Sequence, residues 1–367
     1  MPLYLTDDQS MLRDTARDFM AAEGSIAAQL RKYRDIGCKD GFGHDLWKQF
    51  AEMGFTGILV DEADGGLGLG HVEAGIVLEE IGRNLTPSPF LITAVAVATA
   101  LKGAQDEVRA RWLPGILAGD TVAALATDEG PKHRSFEVAM TAERAGNGYK
   151  LNGAKCFVVQ GASADLIVIS ARTEDGIALF AVERGAEGLS IDPARLLDSS
   201  MGAHLRFDDV VVEAPIGDEI SLRRVLRAGR VGAASELVGI GKAAAEQTVA
   251  YIKERKQFGR AIGEYQALQH RQAHLYAELE IARAATLKAQ QLLDEDHADS
   301  AAMSHVAKAK AGRVSALAVQ EGVQMFGGVG MTDEYDIGLY MKRDRVLNEL
   351  FGDANYHSDR LARLNGY

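Results

Sequence analysis

Apolar residues recur at helical spacing through the first third of the chain. The pattern starts at Thr6, where T-x-x-Q with Gln9 makes a capping box ahead of Met11, Leu12, Ala16, Phe19 and Met20, and Gly24 predicts the stop. A second helix is predicted over about 45–53, closed by Gly54. A third begins near His71, carries Ala74, Val77, Leu78 and Ile81, and ends around 82–84. Ala-rich apolar runs at 92–101 and about 108–117 complete a helical domain, whose boundary falls near Gly119-Asp120. From Val122 the period changes. Short β-branched or alternating runs stand at 122–127, 149–151, 156–159, 166–170, 177–182 and 205–212, punctuated by turn signals at Asn147-Gly148, Asn152-Gly153 and Gly185. After Pro215 the helical period returns in four segments, about 224–254, 265–295, 300–325 and 335–347. The expected fold class is α+β: an N-terminal all-α domain over 1–120, a middle β domain over 121–215 built as a small β-barrel or sandwich, and a C-terminal antiparallel four-helix bundle over 216–367. Three bundle segments exceed about twenty residues, a length common in oligomer cores.

Composition narrows the functions. The 367 residues suffice for two or three domains with real cores. Lys and Arg number 40 against 52 Asp and Glu, a net charge of −12, which argues against a nucleic-acid partner whose phosphates need neutralising. Two cysteines, Cys38 and Cys156, form no disulfide framework or metal motif, and no apolar run reaches membrane-spanning length, so a cytoplasmic protein without a metal centre or membrane anchor is expected.

Two segments carry candidate chemistry. Arg255, Lys256, Gln257, Phe258, Gly259 and Arg260 put three cations, an amide and an aromatic at the end of one helix. Taken alone, that is an ordinary solvated C-terminus with favourable charge at the dipole. The run Gln324, Met325, Phe326, Gly327, Gly328, Val329, Gly330 closes another helix with glycines whose amides can approach a phosphate, although glycines also end helices for structural reasons alone.

Taken in order, R-K-Q-F-G-R-x-I-x-x-Y-Q at 255–266, Q-x-F-G-G-x-G-x-T at 324–332 and Arg343-Asp344 resemble the acyl-CoA dehydrogenase family of flavoproteins. The resemblance runs the length of the chain, through L-T-D-D-Q at the start, M-G-F-T-G at 53–57, N-G-x-K at 152–155 and F-D-D-V-x-V at 207–212. It implies a tetramer with FAD shared between subunits. By the same resemblance, Arg255, Gln257 and Phe258 grip the FAD adenosine and pyrophosphate, Tyr265 and Gln266 line the cofactor, and Gln324, Gly327 and Gly328 meet it from a neighbouring chain. Guanidinium and backbone N–H donors suit a pyrophosphate. Thr127, Phe157 and Val159 match positions flanking the flavin ring; the plain reading of Phe157 is a core aromatic. Arg230 matches the arginine that opens the first bundle helix at the substrate site.

The resemblance also implies α,β-dehydrogenation of an acyl-CoA thioester, with electrons passed on to an electron-transfer flavoprotein. Removing the α-proton takes a carboxylate base. The family's glutamate stands in one of two places, matching here Gly229 before Arg230 and Gly352 eight residues after Asp344, and neither is acidic. The family loop T-E-P-x-x-G-S reads Thr127 to His133, with His133 in place of the serine that contacts acyl-CoA, and Val159 replaces a threonine. Asp353, one residue past the second position, is the candidate base, with a turn-forming surface Gly-Asp pair as the plain alternative. Glu236 lies too far along its helix, Asp344 is expected to be structural, and His357 is expected on a helix surface. Three functions stay open: a dehydrogenase using Asp353 within a homotetramer; a non-catalytic partner that completes the FAD site of a glutamate-bearing homologue in an α2β2 assembly, as occurs for bulky thioesters such as steroid side chains; and a flavin enzyme with altered chemistry on a CoA ester.

Overall fold

The computed structural model describes residues 3–367. Six helices come first, α1 (Asp7–Ala22), α2 (Lys32–Asp35), α3 (His44–Glu52), α4 (His71–Asn84), α5 (Ala98–Lys102) and α6 (Asp106–Leu117). Eight strands follow, β1 (Ala123–Ala126), β2 (Thr141–Ala145), β3 (Gly148–Val159), β4 (Leu166–Thr173), β5 (Gly176–Glu183), β6 (Leu189–Arg195), β7 (Met201–Val212) and β8 (Gly217–Asp218). The rest is α7 (Glu219–Glu254), a two-residue hairpin of β9 (Lys256–Gln257) and β10 (Arg260–Ala261), then α8 (Gln266–Asp294), α9 (Ser300–Phe326), α10 (Ile337–Glu349) and α11 (Ala354–Leu364).

The chain divides into two compact units. One holds the N-terminal segment through Ala28, Gly75–Thr86 and Arg230–Tyr367; the other holds Gln29–Ala74 and Pro87–Gly229.

In the second unit the core begins at Trp47, Phe50, Phe55 and Phe90, all buried, with Phe50 edge-on to Phe55 at 5.7 Å between ring centroids. The apolar run expected as one helix over 92–101 is a buried π-helical stretch, Leu91–Val97, that tightens into α5. Thr93 Oγ1 both donates to the Ala123 carbonyl and accepts from the Ala123 N–H, each at 2.9 Å, and so joins that stretch to β1. The sheet runs β6-β7-β3-β2-β4-β5-β8 with β1 parallel to β4. Its path ends at β6 and β8 without closing among the described residues, so the sandwich alternative fits and the barrel does not.

Three expectations for this unit are corrected. Asn152-Gly153 is no turn: both residues lie inside β3, where pairing with β7 shifts register between Leu151 and Gly153. A bulge uses the same glycine freedom that a turn uses, and Gly153 sits at φ +144. The runs at 149–151 and 156–159 are therefore one strand. Strands β2 and β6 were not expected; β6 holds Pro193, tolerable because β6 ends the sheet path as an edge strand.

In the first unit α1 has the expected capping box, with Gln9 N–H donating to Thr6 Oγ1 at 3.2 Å and Thr6 N–H to Gln9 Oε1 at 3.0 Å. The helix ends at Ala22, and Gly24 offers its carbonyl to the Thr86 hydroxyl at 2.8 Å. The Gly75–Asn84 part of α4 crosses α7 at very close range: a Cβ on Gly82 would lie 2.2 Å from the Glu236 carbonyl, and one on Gly239 would lie 2.0 Å from that of Glu79. Arg83 forks onto Glu246 at 2.6 and 3.0 Å, and Lys242 reaches Glu79 at 2.7 Å, fixing the same crossing from its sides. The four expected bundle segments appear as α7 to α10, and a fifth helix, α11, follows them and packs on α9.

Candidate functional site

The two FAD-type motifs occupy one end of the first unit. α7 stops at Glu254 and the β9–β10 hairpin turns the chain back before α8. Tyr251, in the last turn of α7, stacks on Phe326 at the end of α9, with ring centroids 4.1 Å apart and planes 13° from parallel; Tyr335 packs edge-on against both. Arg255 and Gly327 each follow within four residues of that stack. Phe258 occupies the hairpin tip at φ +54 and is 91% exposed. A large aromatic held out in water in a left-handed conformation stabilises nothing within the chain, which is the behaviour expected of a ligand contact. Among the described residues no hydrogen bond or ion pair engages the side chains of Arg255, Lys256 or Gln257. Arg260 lies over the Tyr265 ring at 3.9 Å. Gln266 opens α8 and is exposed, as is Gln324 in the last turn of α9. At Gly327 and Gly328 an added Cβ would meet nothing within 4 Å, so the backbone there is open to an incoming group. Unpaired cations, open amides and an exposed ring form a donor set that fits a dinucleotide.

The second unit holds the loop after β1. Thr127 and Ser135 are buried, and Ser135 Oγ lies 3.1 Å from Thr127 Oγ1, 3.1 Å from Asp128 Oδ1 and 3.2 Å from His133 Nδ1. His133 Nδ1 is also 2.8 Å from Asp128 Oδ2. His133, which stands where the family has a substrate-contacting serine, is thus folded back onto its own loop. Burial alone would raise the Asp128 carboxyl; His133, the Arg134 N–H and Ser135 override it and hold it below the ordinary carboxylate value. Beside it Lys155 is fully buried and donates to Glu129 Oε1 at 2.7 Å and to Ser170 Oγ at 3.1 Å. Glu129 also accepts from the N–H groups of Ala139 and Met140, so it closes the loop against the start of β2. Phe157 is half-buried on the second β3 bulge at φ +51. It is therefore no ordinary core aromatic, because a non-glycine residue holds that conformation only when its surroundings enforce it. Val159 is buried and pairs with Gly202.

The Glu129 pair makes the loop pH-sensitive. Desolvation pushes the Glu129 carboxyl up, but the Lys155 hydrogen bond and charge and the two amides outweigh it, leaving it below its ordinary 4.5. A depressed carboxylate contributes stability that is complete above its unfolded value and lost as pH falls through the folded value. The wild-type protein is expected to lose this contribution below about pH 4.5, and Glu129→Gln to show it already missing at neutral pH. Leaving Lys155 buried without its counter-ion should cost about 3 kcal/mol. Urea midpoints for the two proteins from pH 7 to 3.5 check both points, and parallel curves would refute the pair's role.

The candidate base positions lie elsewhere. Gly229 and Arg230 are within α7 and buried. Gly352 lies in the link between α10 and α11 at φ +102, following Phe351 at φ +61. Lys308 on α9, 1% exposed, donates to the carbonyls of Asn348 at 3.2 Å and Gly352 at 3.0 Å. Asp353 is the N-cap of α11, its Oδ1 accepting from the Tyr356 N–H at 2.7 Å. The carboxylate of Glu236 is buried and accepts from Arg343 Nε at 2.7 Å. Asp344 is buried, hydrogen-bonded to Asn348 Nδ2 at 3.0 Å, and pushed up to about 6 by burial. His357 is fully buried rather than on a helix surface, and its Nδ1 lies 2.8 Å from His305 Nδ1. Sequence reasoning weighed His357 only as a surface residue and gave no role to His305 or Lys308. The signal available was the pair His305 and Lys308, two large polar side chains one turn apart on the α9 face that otherwise carries mostly Ala, Gly, Ser and Val.

The family model for the acyl-CoA dehydrogenase N-terminal domain matches residues 6–120, that for the middle domain 123–210 and that for the C-terminal domain 219–364. The chain belongs to the acyl-CoA dehydrogenase family. Acyl-CoA dehydrogenase FadE12 of Mycobacterium tuberculosis is 30% identical over 359 residues, spanning 93% of this chain and 91% of that one. The cyclohex-1-ene-1-carbonyl-CoA dehydrogenase of Geobacter metallireducens is 30% identical over 371 residues, with 96% of both chains covered. Among solved structures, the Tcur3481-Tcur3483 steroid ACAD superimposes with a TM-score of 0.91 at 29% identity over 98% of each chain. The helical, β and helical order of the fold is the family's, and its homologues are oxidoreductase enzymes. No helix among the described residues is long and apolar enough to cross a membrane.

Proposed function

We propose that this chain is an FAD-holding subunit of an acyl-CoA dehydrogenase, and that a homologous chain bearing the family's glutamate supplies the base in a shared, α2β2-type assembly. The carrying observation is the set of carboxylates near the family's base positions. Gly229 and Gly352 have no side chain, Asp353 caps a helix, Glu236 answers Arg343 through Oε1, and Asp344 is buried against Asn348. The exposed dinucleotide-type groups at 255–258 and 324–328 remain in place for the cofactor. The two-chain name of the steroid ACAD relative supports the assembly. Domain limits at 1–120, 121–215 and 216–367, a cytoplasmic location and an electron-transfer flavoprotein as acceptor belong to the same reading.

In this assembly Arg255 pairs with the pyrophosphate, Phe258 and Tyr265 cover apolar parts of the dinucleotide, and Gln257 and Gln266 donate or accept at its edge. The amides around Gly327 and Gly328 approach a phosphate where no Cβ intervenes. By the family resemblance, Thr127, Phe157 and Val159 take the positions that flank the flavin ring. Hydride acceptance from the β-carbon of a CoA thioester is the chemistry that FAD supplies when bound. A second reading, with Asp353 as the base of a homotetramer, is favoured by the one oxygen, Oδ2, that the cap leaves uncommitted.

The test is purification alone and with a glutamate-bearing homologue, followed by anaerobic addition of acyl-CoA esters, steroid-chain thioesters included. Flavin bleaching only in the mixed assembly is expected. Bleaching by the isolated chain at the same rate would overturn the proposal.

A further inference from the structure

α11 is docked on α9 by a contact between two imidazoles. His305 is 5% exposed and His357 0%, and their Nδ1 atoms lie 2.8 Å apart with ring centroids at 5.0 Å. A neutral imidazole carries one N–H and one lone pair, so such a contact exists only while at least one of the facing nitrogens is unprotonated. With two neutral rings the bond is ordinary. A first added proton makes it charge-assisted and stronger. A second places an N–H on both nitrogens, with no acceptor between them and two positive charges face to face. At 2.8 Å that arrangement is sterically and electrostatically closed, and the rings must part.

The charged groups of the packed elements gather around Lys308. Lys308, one turn along α9 from His305, is a buried cation held on the carbonyls at the end of α10, and Arg230 of α7 adds a second positive charge to the cluster. Burial lowers the Lys308 ammonium to about 7, so it is charged throughout the acid range. The anions that act on Lys308 are Asp344 and Glu349 of α10 and Asp353 of the turn. Of these, Asp344 is raised to about 6 by burial and loses its charge as the solution acidifies. Tyr356 packs edge-on against His357, and Arg313 of α9 donates to Ser358 at 3.0 Å; neither contact changes charge there.

We propose that the His305–His357 pair is an acid-sensitive latch that holds the C-terminal helix α11 on α9 at neutral pH and releases it when both imidazoles are protonated. The released state binds one proton more than the docked state. Release therefore steepens toward tenfold per pH unit below roughly pH 6, where ordinary imidazoles are charged. The turn at 351–353 is continuous with α11, so undocking also frees the link whose Phe351 and Gly352 hold left-handed conformations.

The experiment is hydrogen exchange on the full chain at pH 7.5, 6 and 5, corrected for the intrinsic exchange rate, in wild type, His357→Gln and Asp344→Asn. Wild-type amides in 354–364 are expected to lose protection by about tenfold from pH 6 to 5, while 266–294 stays unchanged. In His357→Gln, protection of 354–364 should no longer depend on pH, because a neutral amide replaces the second protonation site. Should that variant not fold, His305→Gln makes the same measurement. Asp344→Asn should keep a pH step. A flat wild-type profile overturns the latch, and so does an unchanged step in the histidine variant or a step abolished by Asp344→Asn alone. None of these outcomes depends on which chain supplies the catalytic base.

Discussion

Arg255→Ala is expected to purify nearly colourless. Its guanidinium makes no hydrogen bond or ion pair among the described residues, so removing it breaks no contact seen there and strands no buried partner. What it loses is a charge-assisted pair to a pyrophosphate, for which one truncated cation typically weakens binding by roughly tenfold to a hundredfold. At micromolar protein during purification, a loss of that size strips most of the cofactor. Phe258→Ala should act in the same direction through the lost ring contact, with a smaller effect. The helical circular dichroism signal and urea midpoint of apo-protein should be the same as for wild type, because both side chains are exposed. Full flavin occupancy in Arg255→Ala would remove the 255–258 segment from the cofactor site. A lowered apo-protein midpoint would show that Arg255 stabilises the chain itself, contrary to its exposed position.

The long-period features were legible because one physical rule produced each of them. α4 follows its apolar stripe from His71 to Asn84, and α9 ends where the glycine run begins. The misses came where one residue type serves two geometries. Asn152-Gly153 reads as a turn, yet the same glycine freedom makes a bulge in a continuing strand, and only the partner strand β7 decides between them. β6 carries a proline that argues against a strand, and its edge position is invisible without the sheet order. α11 was not delimited as an element of its own, although His357 was placed on a helix, because it follows the Gly352-Asp353 pair that signals a turn; Asp353 serves instead as the helix cap, and the helix is polar on most of its face. His357 illustrates the limit at the site. A polar residue on a short amphipathic helix is most often solvated, and its burial depends on His305, 52 residues earlier, being opposite it. The FAD-type motifs could be read because a phosphate-binding backbone requires local residue types. The commitment of Asp353 and Glu236 to other partners could not, because those partners are set by packing.

That commitment gives the strongest expectation about catalysis. Asn caps a helix as well as Asp does, so Asp353→Asn keeps α11 capped while removing the carboxylate. In the mixed assembly with a glutamate-bearing homologue it should leave turnover and flavin content unchanged. The converse experiment restores a base. Of the two family positions, Gly352 holds φ +102, which strains any side chain placed there, whereas Gly229 lies in regular helix, where a residue with a Cβ fits the backbone. Gly229→Glu therefore places a carboxylate beside Arg230 without altering a turn. A positioned general base contributes about 100-fold to 10,000-fold, so the Gly229→Glu chain, purified alone with FAD, should reduce its flavin with acyl-CoA at least about 100-fold faster than wild type. Because a buried glutamate also perturbs packing, the flavin spectrum before substrate addition is the control, and it should match wild type. If the wild-type chain instead turns over by itself and Asp353→Asn lowers that rate by about 100-fold with flavin content intact, Asp353 is the base and the chain needs no partner for chemistry.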